Sequence, residues 1–437
     1  MLISLTKLDH KMSLLIKNIF SSFFLRFLNL AITTLIVPLT VGLLSVDDYA
    51  FFAVLISASF IFAYADLGLG LSIVNSFANY KRNLPTFKQQ VLVTNLYVIL
   101  TLISMFVLII GSGVLFLFFS ELIPKLFFSW QVLLVCVAIG IPTGVIQRLL
   151  FANQRTYEAN IWYALGRILA LCCIYLCGKF EMSLPYFVLA MIGSPVLINI
   201  ISTLYYFSKN NKLIPNLRIF NPKYLPSQMS QGIAFLILNL AVMVDTGIDV
   251  ILLSHFESPD FIRQYDLLVK IYLYVPAIIS VACFPIWPSL RAALDQGDVP
   301  WVLKVAKNAT FLILIVSTST SIFLFVFQKQ IIELWTGVTL HITHNVALFM
   351  SIYAVLTSIF TLQAMILNSF KEVGYQAKVA LIFIPLVIIV KVLSLYFYNV
   401  ETMLGLFCLI YLLKMFVVQH KLSNILKVNS AQVNNVN

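Results

Sequence analysis

The chain has 437 residues, of which 61% are hydrophobic, 14% aromatic and 10% charged, with a mean hydropathy of +0.98. Soluble domains carry about a quarter charged residues, so this composition excludes a soluble globular enzyme and points to an all-α polytopic membrane protein. The formal net charge of +11 does not mark a nucleic-acid binder, because the basic residues lie in short segments between apolar runs, the pattern that orients a membrane protein.

The N-terminal run is interrupted by Lys17 and Arg26 and continues far past signal-peptide length, so it reads as a first span behind an interfacial lead-in. Within that first segment, 16–44, Ser22, Arg26, Asn29, Thr33 and Thr40 fall within roughly 60° on a helical wheel. A lipid-facing guanidinium costs about 3 kcal/mol or more at the bilayer centre. Arg26 stands roughly 15 Å into the helix, further than its stem easily snorkels. The line Arg26, Asn29, Thr33 is therefore expected to face a cavity that receives something anionic, or else to pair with a carboxylate such as Asp66, Asp245 or Asp249.

Eleven further apolar segments follow, approximately 49–79, 89–119, 130–153, 157–178, 184–207, 227–254, 264–290, 303–327, 345–370, 377–398 and 402–419, which gives twelve spans. With the N-terminus cytoplasmic, 19 of the 28 Lys and Arg residues fall in cytoplasmic segments and 4 (Lys125, Lys179, Arg263, Lys329) outside. That asymmetry orients the chain and requires an even number of spans. Residues 208–226, with Pro215, Pro222 and Pro226 and four basic residues, divide the spans six and six. The expected organisation is an N-terminal lobe (1–207), a basic cytoplasmic linker (208–226), a C-terminal lobe (227–419) and a cytoplasmic tail (420–437), polar and disordered from Val428 on. An offset of 216 pairs Tyr49 with Tyr265, Lys88 with Lys304, Arg155 with Lys371 and Asn160 with Gln376, a faint trace of a parallel duplication. Prolines within spans (Pro38, Pro142, Pro195, Pro276, Pro285, Pro385) predict bent helices around a central void.

Asp66, assigned to the cavity or else to an inter-helix pair, lies in the run Ala65-Asp66-Leu67-Gly68-Leu69-Gly70, where glycines permit close helix approach or a break. On the fifth span Asn160, Tyr163 and Arg167 form a second polar line, expected to line the cavity. Asp245 and Asp249 share a face at i, i+4 and could take a coupling ion or neutralise a cation on another helix. Asp266 and Lys270, also i, i+4 with the acid first, read as a local salt bridge. Lys391 is mid-span with Ser394 on its face and is assigned to the cavity, whereas Lys414 is near the cytoplasmic end and is expected to snorkel.

The six cysteines lie inside apolar runs without metal or redox spacing and read as small buried hydrophobes. His341 and His344 read as loop surface. No Walker, G-x-S-x-G or H-E-x-x-H motif is present, so no ATPase, hydrolase or metal centre is expected, and no cofactor.

The stretch Pro285, Trp287, Pro288, Arg291, Gly297, Asp298 and Trp301, with Asp249, Leu252-Leu253-Ser254 and Gln264-Tyr265 through Lys270 upstream, resembles the polysaccharide transporter branch of the MOP flippase superfamily, which includes the O-antigen flippases. The Tyr49 junction and the Ala65–Gly70 run are also similar. The resemblance implies a MATE-like fold of two six-helix lobes around a central cavity, alternating access, and transport of an undecaprenyl-diphosphate-linked oligosaccharide from the cytoplasmic to the periplasmic leaflet of the bacterial inner membrane. It also implies membrane lipids, an O-antigen polymerase and a chain-length regulator as partners. Arginine suits a diphosphate through charge-assisted hydrogen bonds, and the polar walls at Asn29, Thr33, Asn160 and Tyr163 suit sugars. The competing readings are a MATE-type multidrug or cation antiporter, which an acid-rich cavity would favour, and a lipid II flippase, whose relatives often carry two more spans. A membrane polymerase or ligase would need a longer outer loop than any present.

Overall fold

A backbone crossing lipid must satisfy its N–H and C=O groups within its own segment, and this chain does so with helices. The computed structural model describes residues 24–25, 27–63, 86–119, 124–153, 155–283 and 286–434. They contain α1 (Phe27–Leu43), α2 (Val46–Ala63), α3 (Thr86–Phe119), α4 (Pro124–Ala152), α5 (Thr156–Lys179) and α6 (Leu184–Lys209). After three short 3₁₀ turns come α7 (residues 225–253), α8 (Pro259–Cys283), α9 (Ile286–Asp295), α10 (Val299–Thr336), α11 (His344–Ser369), α12 (Val373–Phe397) and α13 (Val400–Asn434). Each of the twelve expected apolar segments is helical where described, and no strand occurs among the described residues. Nine of these helices are long and apolar enough to cross a membrane, while α1 and the apolar part of α7 are shorter as described.

The described helices add detail in three places. In the segment 264–290, α8 is described to Cys283 and α9 from Ile286, and α9 carries Trp287 and Arg291, whose guanidinium bonds both Asp295 and the carbonyl of Ser369. Helix α13 runs to Asn434, through most of the stretch expected to be disordered. The 3₁₀ turns Asn211–Leu213 and Leu217–Ile219 of the linker lie on α3, within the first unit.

The chain divides into two units, Met1–Leu236 and Ile237–Asn437. In the first, α3 packs on α4 and α5 on α6, around a core of Leu92, Val93, Leu96, Ile146, Leu149 and Tyr206. The opposite side of α3, with Leu102, Met105, Phe106 and Ile109, is exposed and apolar, as a lipid-facing surface must be. In the second unit, α11 packs against α8, α10 and α13, and a cluster of Tyr353, Phe407 and Tyr411 rings, with centroids 5.0–5.9 Å apart, fills the interior.

The helix starts Val46, Thr86, Pro124, Thr156 and Leu184 of the first unit are answered in order by Pro259, Val299, His344, Val373 and Val400 of the second. Leu184 and Val400 stand at the same offset, 216, as the sequence repeat. Two π-helical turns interrupt the α geometry, Leu189–Gly193 in α6 and Met243–Gly247 in α7. Such turns release carbonyls from the i→i+4 ladder and recur at functional positions.

Candidate functional site: an arginine-lined cavity and a buried ion-pair cluster

The first unit has an open-sided cavity of about 650 Å³ between α1, α2, α4, α5 and α6. Its room comes from small residues. Gly140 and Gly144 bracket Pro142 on α4, where the helix is interrupted at Gly144. On α5, a Cβ at Gly166 would stand 3.0 Å from the Cα of Pro195 on α6, so only glycine lets the two backbones approach this closely.

Two cations line this space, Arg148 from α4 and Arg167 from α5. Neither forms an ion pair among the described residues, and no described lining residue is acidic. Arg167 Nη2 donates to Tyr163 Oη at 3.0 Å, its guanidinium lies 5.3 Å from the Tyr163 ring centroid, and its buried Nε has no hydrogen-bond partner. Gln147 Nε2 donates to Asn199 Oδ1 at 3.0 Å, joining α4 to α6 on the cavity wall. Asn29 on α1 lines the cavity with its Oδ1 buried and unpartnered, and Asn160 and Trp162 complete the polar side. The Arg167 donor and the Asn29 acceptor, both unmet among the described residues, suit a ligand that brings an anionic group and hydroxyl groups together.

Of the residues singled out in the sequence, Asn29, Asn160, Tyr163 and Arg167 meet here. Arg26 and Asp66 lie outside the described residues. Thr33 does not line the cavity: its hydroxyl donates to the carbonyl of Asn29 at 2.9 Å, and Thr40 likewise bonds Ile36 and Val37. Part of the polar line on α1 is thus satisfied within the helix itself, the back-bonding common to Ser and Thr in apolar helices. In the sequence Arg148 reads as one of the 19 cytoplasmic cations that orient the chain. The signal for its role was local, since Gln147-Arg148 follows Pro142 and Gly144 within two turns at the end of an apolar run.

The second unit holds the other described intramembrane charges. Lys391, expected in the substrate cavity, is 0% exposed and outside it. Its Nζ donates to Asp249 Oδ1 at 2.5 Å, to the Asp245 carbonyl at 2.7 Å and to the Val244 carbonyl at 2.9 Å, and lies 4.2 Å from the Phe407 ring centroid. Lys414 does not snorkel. It is buried and donates to Asp245 Oδ2 at 2.8 Å, between the rings of Phe360 and Tyr411. Tyr265 Oη donates to Asp249 Oδ2 at 3.1 Å.

The physical reason is the π turn at Met243–Gly247, which frees the Val244 and Asp245 carbonyls and points successive carboxylates at two different helices. A lysine within reach of such acceptors gains more from them than from a stretched path to water. Asp266 and Lys270 pair along α8. Among the described residues no group of three or more His, Cys, Asp or Glu could hold a metal. Of the cysteines, Cys172 is exposed rather than buried.

No protein-family model matches this chain, and no curated protein sequence does. Solved structures match over nearly its whole length. An inward-facing multidrug resistance MATE family transporter of the MOP superfamily superposes with a TM-score of 0.75 at 11% identity, covering 93% of this chain and 95% of that one. The lipid II flippase MurJ, in an inward closed conformation, gives 0.70 at 14% identity, covering 93% and 87%. A Vibrio cholerae MATE transporter in a bent form gives 0.61 at 13%, covering 95% and 98%. At these identities the likeness is one of fold, and the chain has the all-helical fold shared by MATE transporters and MurJ.

Proposed function

We propose that this protein is a flippase that carries an undecaprenyl-diphosphate-linked oligosaccharide, an O-antigen repeat unit, from the cytoplasmic to the periplasmic leaflet of a bacterial inner membrane. Both termini are cytoplasmic, two six-helix lobes alternate access, and no covalent chemistry is done on the cargo. The observation that carries this reading is the cavity of about 650 Å³ with Arg148 and Arg167 on its wall and no acidic residue among its described lining. A diphosphate brings about two negative charges that lose their hydration in a low-dielectric site, and two guanidinium groups replace that hydration with charge-assisted hydrogen bonds. Asn29, Asn160, Gln147 and Asn199 offer amide partners to sugar hydroxyls, and Trp162 and Tyr163 offer ring faces. The flipped product would pass to a polymerase and its chain-length regulator.

A lipid II flippase is the second reading, favoured by the fold likeness to MurJ. It shares the lipid diphosphate and differs only in the glycan. A cation antiporter fits less well, since Asp245 and Asp249, the acids it would use in the second unit, already hold Lys414 and Lys391.

The test is a double Arg148→Gln, Arg167→Gln variant as the sole chromosomal copy. Surface polysaccharide should be lost with membrane expression intact, and purified wild-type protein in nanodiscs should bind an undecaprenyl-diphosphate oligosaccharide but not a cationic dye. Normal polysaccharide from the double variant would sink the proposal.

A further inference from the structure

The segment between α6 and α7 carries a feature that the cavity does not use. No acidic residue occurs between Met182 and Val244, whereas Lys209, Lys212, Arg218 and Lys223 cluster within that span. The segment is not loose. Leu213 is buried in the core of the first unit. Gln90 Nε2 donates to the Ile214 carbonyl at 2.8 Å, and the Asn216 amide donates to Thr94 Oγ1 at 3.1 Å. Asn95 closes a reciprocal pair with the Asn221 backbone, its Nδ2 donating at 2.7 Å and its Oδ1 accepting at 3.0 Å. Thr94 and Asn95 are both fully buried. The result is a ribbon fastened to α3 along one edge.

Its other edge is apolar and cationic together. Leu217 is 77% exposed, Ile214 45% and Phe220 37%, and Lys212, Arg218 and Lys223 are exposed among them. An isolated exposed leucine needs no explanation. Three exposed apolar residues on a rigidly held ribbon of one charge sign form a surface with a partner.

The height of the ribbon identifies that partner. Helix α3 has 34 residues, about 51 Å at 1.5 Å per residue, against about 30 Å of hydrocarbon. Its start carries Lys88, Gln89 and Gln90 whereas its other end is apolar through Phe119, so the excess length includes the first turns and sets them at headgroup level. The fastening points Gln90, Thr94 and Asn95 fall roughly 6 to 14 Å from the helix start at Thr86. The ribbon thus runs alongside the membrane boundary, where basic groups meet phosphate and apolar side chains enter the acyl margin.

We infer that residues 212–223 form a preorganised docking surface for anionic phospholipid, with Leu217, Ile214 and Phe220 inserted and Lys212, Arg218 and Lys223 on the headgroup phosphates. Because the ribbon is ordered in advance by α3, binding carries little ordering cost. The surface holds the first unit in the bilayer through lipid charge, independently of which cargo the cavity takes.

The experiment is limited trypsin proteolysis of the full-length protein in nanodiscs of phosphatidylcholine alone or with 30% phosphatidylglycerol, scoring cuts after Lys212, Arg218 and Lys223 against cuts after Lys427 as an internal reference. Anionic lipid should slow the ribbon cuts by about tenfold or more relative to the reference, 0.5 M KCl should largely remove that protection, and Leu217→Ser should weaken it. Equal ribbon cleavage in the two lipids, fast or slow, overturns the inference. That outcome is also the one expected if the ribbon's partner is another protein. The wild-type comparison needs no variant, so a misfolded Leu217→Ser protein leaves the test intact.

Discussion

Lys391 Nζ and Asp249 Oδ1 meet at 2.5 Å in the interior of the second unit, the lysine 0% and the aspartate 4% exposed. The pair ties α12 to α7, and the carbonyls freed by the π turn complete the ammonium's three hydrogen bonds. Desolvating two charges is expensive, so the pair is balanced rather than strongly stabilising, while breaking it leaves a buried charge exposed to no compensation. Lys391→Met alone should therefore cost about 3–5 kcal/mol and lower the apparent melting temperature of the purified protein clearly. Adding Asp249→Asn should recover much of that loss. A double variant as unstable as the single would show that packing around Phe407, not charge, holds the site.

Arg148 and Arg167 make the opposite prediction. Neither has a carboxylate partner among the described residues, and Arg167 has only Tyr163. Replacing either by Gln should not lower the melting temperature by more than about a degree or two, since no carboxylate partner is lost with the charge. Loss of one charge-assisted contact should weaken cargo binding roughly tenfold or more. Titration of a lipid diphosphate into nanodisc-embedded protein reads this directly, and unchanged affinity in both single variants would remove the arginines from the binding site.

Gly166 tests the cavity wall. A methyl group there would press on the Pro195 backbone at 3.0 Å, whereas one at Gly113 on α3 meets nothing within 4 Å. Gly166→Ala should destabilise by about 1–3 kcal/mol through overpacking. Gly113→Ala should be neutral or stabilising by up to about 1 kcal/mol, because alanine restricts the unfolded chain. Thermal melts of the two variants side by side separate a close approach from ordinary glycine flexibility, and equal melts would refute it.

Asn95→Ala removes both side-chain bonds to the Asn221 backbone. Leaving those backbone groups unpaired costs about 1–3 kcal/mol each at most, concentrated in the ribbon rather than spread through the fold. Trypsin should cut after Arg218 and Lys223 severalfold faster than in wild type, with the global melt little changed. If the cuts keep their wild-type rate, the contacts of Leu213, Ile214 and Asn216 hold the ribbon without Asn95.

The membrane class and the order of twelve apolar segments were legible in the composition and hydropathy, because a lipid solvent imposes one rule on every residue of a span. The cavity residues Asn29, Asn160, Tyr163 and Arg167 were legible for a related reason, since polar groups aligned on an apolar helix need a non-lipid neighbour. Arg148 was hidden by that reasoning, because a basic residue at a span end looks like an orienting charge until α5 and α6 are packed beside it. The partners of Lys391 and Lys414 were equally out of reach. They depend on the π turn, which shifts Asp245 and Asp249 off the 100° spacing assumed for i, i+4 and aims them at two separate helices. Periodicity is a local property that the sequence carries by itself. Which cation meets an anion, and which is left facing a void, is decided by contacts between helices, more than a hundred residues apart for Lys391 and Lys414, and only the tertiary structure supplies those.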